Sequence, residues 1–181
     1  MSSYNDILDY EEEEVILAKR AEDISQIPSY LKESRSKGYE YLIFQVNKTK
    51  YALEKKFIQE LYLDITPSFV PSTPDFIKGI VNIRGEIVSV TDLISFFGLE
   101  SISKKKSYPA MKIKGTGETE FVLVVDDIDE IINLEYSDIY SFPVSADSRL
   151  ERFCKGVTKE RIYILDMEKI LSDEKIIVDE S

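Results

Sequence analysis

The 181 residues are 43% hydrophobic and carry a formal net charge of −11, with one cysteine and no histidine. That composition is globular and repels nucleic acid unless a basic patch gathers on one face; it also removes the usual general base, the commonest zinc ligand, the Ser-His triad and any internal disulfide. The apolar runs, such as Phe121–Val125, fall far short of the roughly 20 residues of a membrane helix, and the acidic N-terminus does not read as a secretory signal, so the expectation is a cytoplasmic protein with no direct membrane insertion.

Residues 1–38 read as an acidic, mobile extension, with "EEEE" at Glu11–Glu14, a short helix over Val15–Ile24, and Pro28 and Gly38 as punctuation. From Tyr39 the texture changes. "YEYLIFQVNKTKYAL" predicts strand, Asn-Lys turn, strand, and "FIQELYLD" continues with apolar residues at Phe57, Ile58, Leu61 and Leu63. The linker "ITPSFVPSTPDF" holds three prolines, which exclude a helix and a central strand. "KGIVNIRGEIVSVTDL" from Lys78 to Leu93 predicts a β-hairpin, and "LISFFGL" a helical turn ended by Gly98.

The second half repeats this order. "YPAMKIKGTGETEFVLVV" predicts a hairpin with a Gly-rich turn, "DDIDEIINL" follows as "KKFIQELYL" did, another proline-bearing linker comes next, and "KGVTKERIYILDM" echoes the Lys78–Leu93 segment before "EKIL" gives a closing helical turn. Tyr51–Leu61 aligns with Phe121–Ile131 without a gap, and Lys78-Gly79 and Asp92 find counterparts in Lys155-Gly156 and Asp166. Two modules of about five short strands suggest small barrels: a first over residues 39–105, and a second over 106–181 with a short C-terminal helix. The absence of long amphipathic helices between the strands disfavours a doubly wound sheet.

Gly79 and Gly156 stand where a backbone comes close or a strand bends. Arg84-Gly85 reads as the hairpin turn, with Gly85 supplying φ > 0. Arg84 is unexplained by the turn, where Asn or Asp sits more easily; its planar fork of donors is a binding anchor at the tip of an apolar hairpin. Asp92 and Asp166 are expected to cap the short helices that follow them. The carboxylates of "VVDDIDEI" alternate across a strand and do not converge on a metal, "GTGE" lacks the Gly-Lys of a phosphate loop, the Lys104–Lys106 triplet is a weak basic patch, and Cys154 without a partner base is a small core residue. No catalytic residue, metal site or cofactor is expected.

The motifs "FIKGIVNIRGEIVSVTDL", "YLIFQVNKTKYAL", "TPSFVPSTPDF", "VVDDIDEII", "SFPV" and "IYILDMEKIL", from Tyr41 to Leu171, resemble the CheW-like chemotaxis coupling proteins. The chain departs from that pattern at Ile83 for leucine, Ser89 and Glu54 for proline, and Val122 for glycine. The resemblance implies a mainly β fold of two SH3-like five-stranded barrels fused side by side, with short helices at their ends. It implies a non-enzymatic adaptor that joins the cytoplasmic tips of methyl-accepting chemoreceptors to the regulatory domain of the CheA histidine kinase. Carried over by motif, a receptor-binding groove would involve Ile58, Glu60, Gly79, Asn82, Arg84 and Gly85, while the kinase would take exposed apolar edges. A coupling protein of a related pathway, such as twitching motility or gene regulation, is the alternative. An enzyme-related role would need a fused receiver or kinase segment, for which the residues after Leu171 leave no length.

Overall fold

A computed structural model describes residues 38–101, 105–115, 119–142 and 148–176. The acidic extension with its helix over Val15–Ile24, Lys104 of the basic triplet, most of the "GTGE" turn and Pro143-Val144 of "SFPV" lie outside the described residues. Gly38 opens the compact unit that contains every element described below.

Strands β1 (Tyr39–Val46) and β2 (Thr49–Glu54) form the first hairpin. Its Asn47-Lys48 turn has φ of 49° and 65°, the primed geometry that matches strand twist. A 3-10 turn at Lys55–Phe57 leads into β3 (Ile58–Ile65). The linker follows, then β4 (Ile77–Ile83), β5 (Glu86–Asp92) and the short helix α1 (Leu93–Phe96). The second half gives β6 (Tyr108–Lys114), β7 (Glu120–Val124), β8 (Asp127–Leu134), a 3-10 turn at Tyr136–Asp138, α2 (Ser148–Phe153), β9 (Cys154–Val157), β10 (Tyr163–Leu165) and α3 (Met167–Leu171). As expected, Asp92 caps α1, its Oδ1 accepting from the backbone N–H of Ile94 and Ser95 at 3.0 and 3.2 Å, and Asp166 caps α3, accepting from Lys169 at 3.3 Å.

The fold is mainly β, in two five-stranded sheets ordered β8-β1-β2-β10-β9 and β3-β6-β7-β5-β4. The repeat is real, and its copies exchange strands. Each sheet takes the leading hairpin of one repeat and the following three strands of the other, so the division into 39–105 and 106–181 follows the chain and not the sheets. The physical reason lies in the joins. Strands β2 and β10 pair parallel through Tyr51–Tyr163, as do β7 and β5 through Val122–Val90, and a parallel partner cannot arrive through a tight turn. All other ladders are antiparallel.

Alternation along the strands sorts side chains into three apolar layers. The largest lies between the sheets: Leu42, Phe44, Tyr51 and Leu53 from one, Met111, Ile113, Phe121 and Leu123 from the other, and Phe96, Phe97, Phe153 and Met167 from the helical segments. Phe153 packs on Phe96 and Phe97 with ring centroids 4.9 and 5.5 Å apart. Cys154 belongs to this layer, and burial, with a lesser push from Asp166, raises its thiol pKa to about 12; it is a core residue. The opposite face of each sheet carries a smaller cluster: Tyr41, Ile43, Ala52, Leu134, Ile162 and Ile164 in one, and Ile65, Val88, Val90, Ala110, Val122 and Val124 among those in the other.

Two glycines let the linkers cross. Gly79 has φ of 142°, and a Cβ there would stand 2.2 Å from the Ser68 carbonyl oxygen; Gly156, at φ of 159°, would meet the Tyr140 oxygen at 2.4 Å. At each crossing the linker forms a paired backbone bridge, Ser68 with Ile80 and Tyr140 with Val157. The ladder shifts register immediately beside each glycine, leaving Lys78 and Lys155 as the extra residues. Gly79→Ala and Gly156→Ala are each expected to lower the unfolding free energy by more than about 2 kcal/mol. Urea denaturation checks this, and a loss below about 1 kcal/mol at either position would mean that the crossing yields easily.

Candidate functional site

The β4–β5 turn consists of Arg84 and Gly85 alone, because Ile83 pairs with Glu86. Both turn residues have positive φ, 53° and 96°. For Gly85 this is easy, and the space around its Cα is open. For arginine the left-handed region costs about 1–2 kcal/mol, so turn geometry alone does not account for the residue. Asn82 supports the turn, its Oδ1 accepting the Gly85 N–H at 2.9 Å.

The turn projects the Arg84 side chain outward, 79% exposed, and Nη1 reaches Oε1 of Glu60 at 3.0 Å. The second carboxylate oxygen of Glu60 accepts the Tyr62 hydroxyl at 2.7 Å. Glu60 and Tyr62 are two apart on β3 and share a face. Strands β3 and β4 are the two edges of their sheet, so this chain of contacts ties one edge to the hairpin at the other. Burial and then the hydrogen bond to Glu60 raise the Tyr62 pKa, and the phenol stays a donor.

Lys112 lies opposite Glu60 in register. It is buried and pairs with Glu86 at 3.1 Å and Glu120 at 3.2 Å. Burial works against its charge, and the hydrogen bonds to Glu86 and Glu120 outweigh it, raising its pKa. A charged rim of Glu60, Arg84, Glu86, Lys112 and Glu120 therefore borders the apolar cluster of this sheet. The same sheet also exposes apolar side chains, Leu63 at 92% with Leu61 and Ile87, which strand alternation turns to the face opposite Glu60, Tyr62 and Glu86.

Of the six residues named from sequence, Glu60, Asn82, Arg84 and Gly85 come together here. Ile58 packs against the inter-sheet layer; a register shift between Ile58 and Glu60 sends the two side chains to opposite faces. Gly79 is buried beneath Ser68, so its place is architectural. Tyr62, Lys112 and Glu86 escaped the sequence reading. Tyr62 was open to it, being two residues from Glu60 on a strand, but Lys112 and Glu86 join the site only through pairing across strands. The acidic run after β7 disperses: Asp126 accepts from the Asn47 N–H at 2.8 Å and Asp129 pairs with Lys50 at 2.7 Å.

The CheW-like domain profile matches residues 40–175. The chain is 31% identical over 144 residues to the chemotaxis protein CheW of Klebsiella aerogenes, covering 77% of this chain and 85% of that one. It is 27% identical to CheW of Thermotoga maritima, covering 76% and 90%. Among solved structures, the scaffolding protein TtCheW from Thermoanaerobacter tengcongensis superposes with a TM-score of 0.60 at 27% identity, covering 71% of this chain and 88% of that one.

Arg84→Asn is expected to leave stability unchanged or raise it by up to about 1 kcal/mol, since asparagine tolerates the left-handed region and an exposed ion pair contributes about 0–1 kcal/mol. Gly85→Ala is expected to lower it by about 1–2 kcal/mol through φ alone. Chemical denaturation of both variants checks this; a clear loss in Arg84→Asn would give the arginine a folding role.

Proposed function

The chain belongs to the CheW-like domain family, and we propose that it is a non-enzymatic adaptor coupling chemoreceptors to the CheA histidine kinase in chemotaxis signal transduction. The observation that carries the receptor side is Arg84: an exposed guanidinium held at an unfavourable φ and oriented by Glu60, at the tip of a hairpin in a sheet that also exposes Leu61, Leu63 and Ile87. Stability does not require an arginine in that turn, whereas recognition of a helical receptor tip uses both a directional donor and apolar area. Among the described residues no helix is long and apolar enough to cross a membrane, and a cytoplasmic place beneath the receptors follows from the adaptor role.

The kinase side is assigned to the regulatory domain of CheA. Occupancy of two interfaces by one adaptor sets the signalling state without any reaction on this chain, and repeated packing makes modest contacts strong collectively.

Co-sedimentation with a receptor-tip fragment and with CheA tests the reading. The protein is expected to bind both. Arg84→Glu is expected to weaken receptor binding about tenfold or more by reversing a rim charge, with kinase binding and the unfolding transition retained. A folded Arg84→Glu protein that sediments with receptors like the unchanged one removes the anchor. Failure to bind either partner removes the adaptor reading.

A further inference from the structure

Glu60 meets two groups at once. Its Oε1 lies 3.0 Å from Nη1 of Arg84, and its Oε2 accepts the Tyr62 hydroxyl at 2.7 Å. The guanidinium is reached through one nitrogen, and among the described residues Nη2 and Nε make no hydrogen bond. A glutamate on an edge strand, one-third exposed, can turn its carboxylate toward any cation in reach. Arg84 is one such cation. Lys112, opposite Glu60 in register, is another, but Glu86 and Glu120 engage its ammonium. Tyr62 fixes the orientation that remains. Its ring packs on the apolar cluster of the sheet, and its hydroxyl takes one oxygen of Glu60, so that the other faces Arg84.

The second repeat separates the two properties of Tyr62. When the alignment of Tyr51–Leu61 with Phe121–Ile131 is continued, Glu60 corresponds to Glu130 and Tyr62 to Ile132. Ile132 packs against the apolar cluster of its own sheet as Tyr62 does against the other, so packing at this place needs no hydroxyl. The β9–β10 turn also presents an exposed arginine in the left-handed region: Arg161, with φ of 62°, is the last of three residues between the paired Thr158 and Ile162. This copy therefore holds a strand carboxylate and a turn arginine as well, yet among the described residues neither Glu130 nor Arg161 makes an ion pair. Two things differ there: the turn is one residue longer, and the hydroxyl is absent.

We propose that Tyr62 is the positioning residue of the Arg84 anchor. Its hydroxyl fixes Glu60, Glu60 fixes the guanidinium through Nη1, and the edge formed by Nε and Nη2 is left for the receptor in a set direction. An arginine held in advance loses less freedom on binding. The orienting step stands on the geometry; its use in recognition rests on the receptor reading of Arg84.

The test labels the full chain with 15N and reads the guanidinium itself. Slowed rotation in an ion pair gives separate Nη1 and Nη2 signals, and free rotation averages them. Separate Arg84 signals are expected in the unchanged protein. Averaged signals are expected in Tyr62→Phe, which keeps the ring, and in Glu60→Gln, which keeps an acceptor for the hydroxyl but discards the charge. Both variants are expected to melt within about 4 °C of the unchanged protein. Titration with the receptor-tip fragment is expected to show Tyr62→Phe about threefold to tenfold weaker, with no further loss when Tyr62→Phe is added to Glu60→Ala. Averaged signals in the unchanged protein, or separate signals in either variant, would overturn the orienting step. A loss of the same size in the Glu60→Ala background would overturn the relay by placing Tyr62 in direct contact with the receptor. Undiminished binding by Tyr62→Phe, where Arg84→Glu does weaken binding, would overturn the role in recognition. If Arg84→Glu also binds like the unchanged protein, the receptor reading of Arg84 fails, and the guanidinium signals still decide the orienting step.

Discussion

Neither repeat can complete a sheet alone, and this constraint organises the molecule. A hairpin from one repeat offers its second strand to a parallel partner from the other, through Tyr51–Tyr163 on one side and Val122–Val90 on the other. Such pairings between distant segments carry a loop-closure cost that local hairpins avoid. The shared inter-sheet layer offsets it by burying aromatic side chains from both sheets and the short helices, each contributing about 1.5–3 kcal/mol. The two sheets are thus halves of one cooperative structure, and the positive-φ glycines at the linker crossings are what let the chain pass between them.

That scaffold leaves its ends and turns free to differ. The β4–β5 turn holds an arginine where the backbone favours glycine or asparagine, and the local cost is tolerated because the ladder fixes the hairpin. Tyr62 holds Glu60 from behind, and Lys112 gathers Glu86 and Glu120 beneath the rim. Few of these interactions are strong singly, since exposed pairs are weak. Their effect is directional, limiting where the guanidinium points.

The two copies also diverge in what they place at the hairpin end. Ala110 and Val124 close one copy with apolar packing, while Tyr41, Glu54 and Lys155 leave the other polar and open. The buried Glu54 carboxylate, with Lys155 and Lys56 as ammonium partners, is costly to desolvate, and apolar replacement of such groups is often neutral or stabilising.

Much of this was legible in the residues themselves. Turn chemistry marked Asn47-Lys48 and Arg84-Gly85, period-2 alternation marked the strands, and the echo of Lys78-Gly79 in Lys155-Gly156 marked the duplication, because these are local properties of backbone and side chain. The placement of Glu60, Asn82 and Arg84 in one site came through the family pattern. Tertiary structure alone decided the exchange of strands between repeats, since parallel pairing leaves no local signature. It alone put Ile58 and Gly79 away from the rim, through a one-residue register shift and a crossing linker, and it alone brought Lys112 to Glu86 and Lys155 to Glu54. Those meetings depend on which strands lie side by side, and sequence spacing carries no record of that.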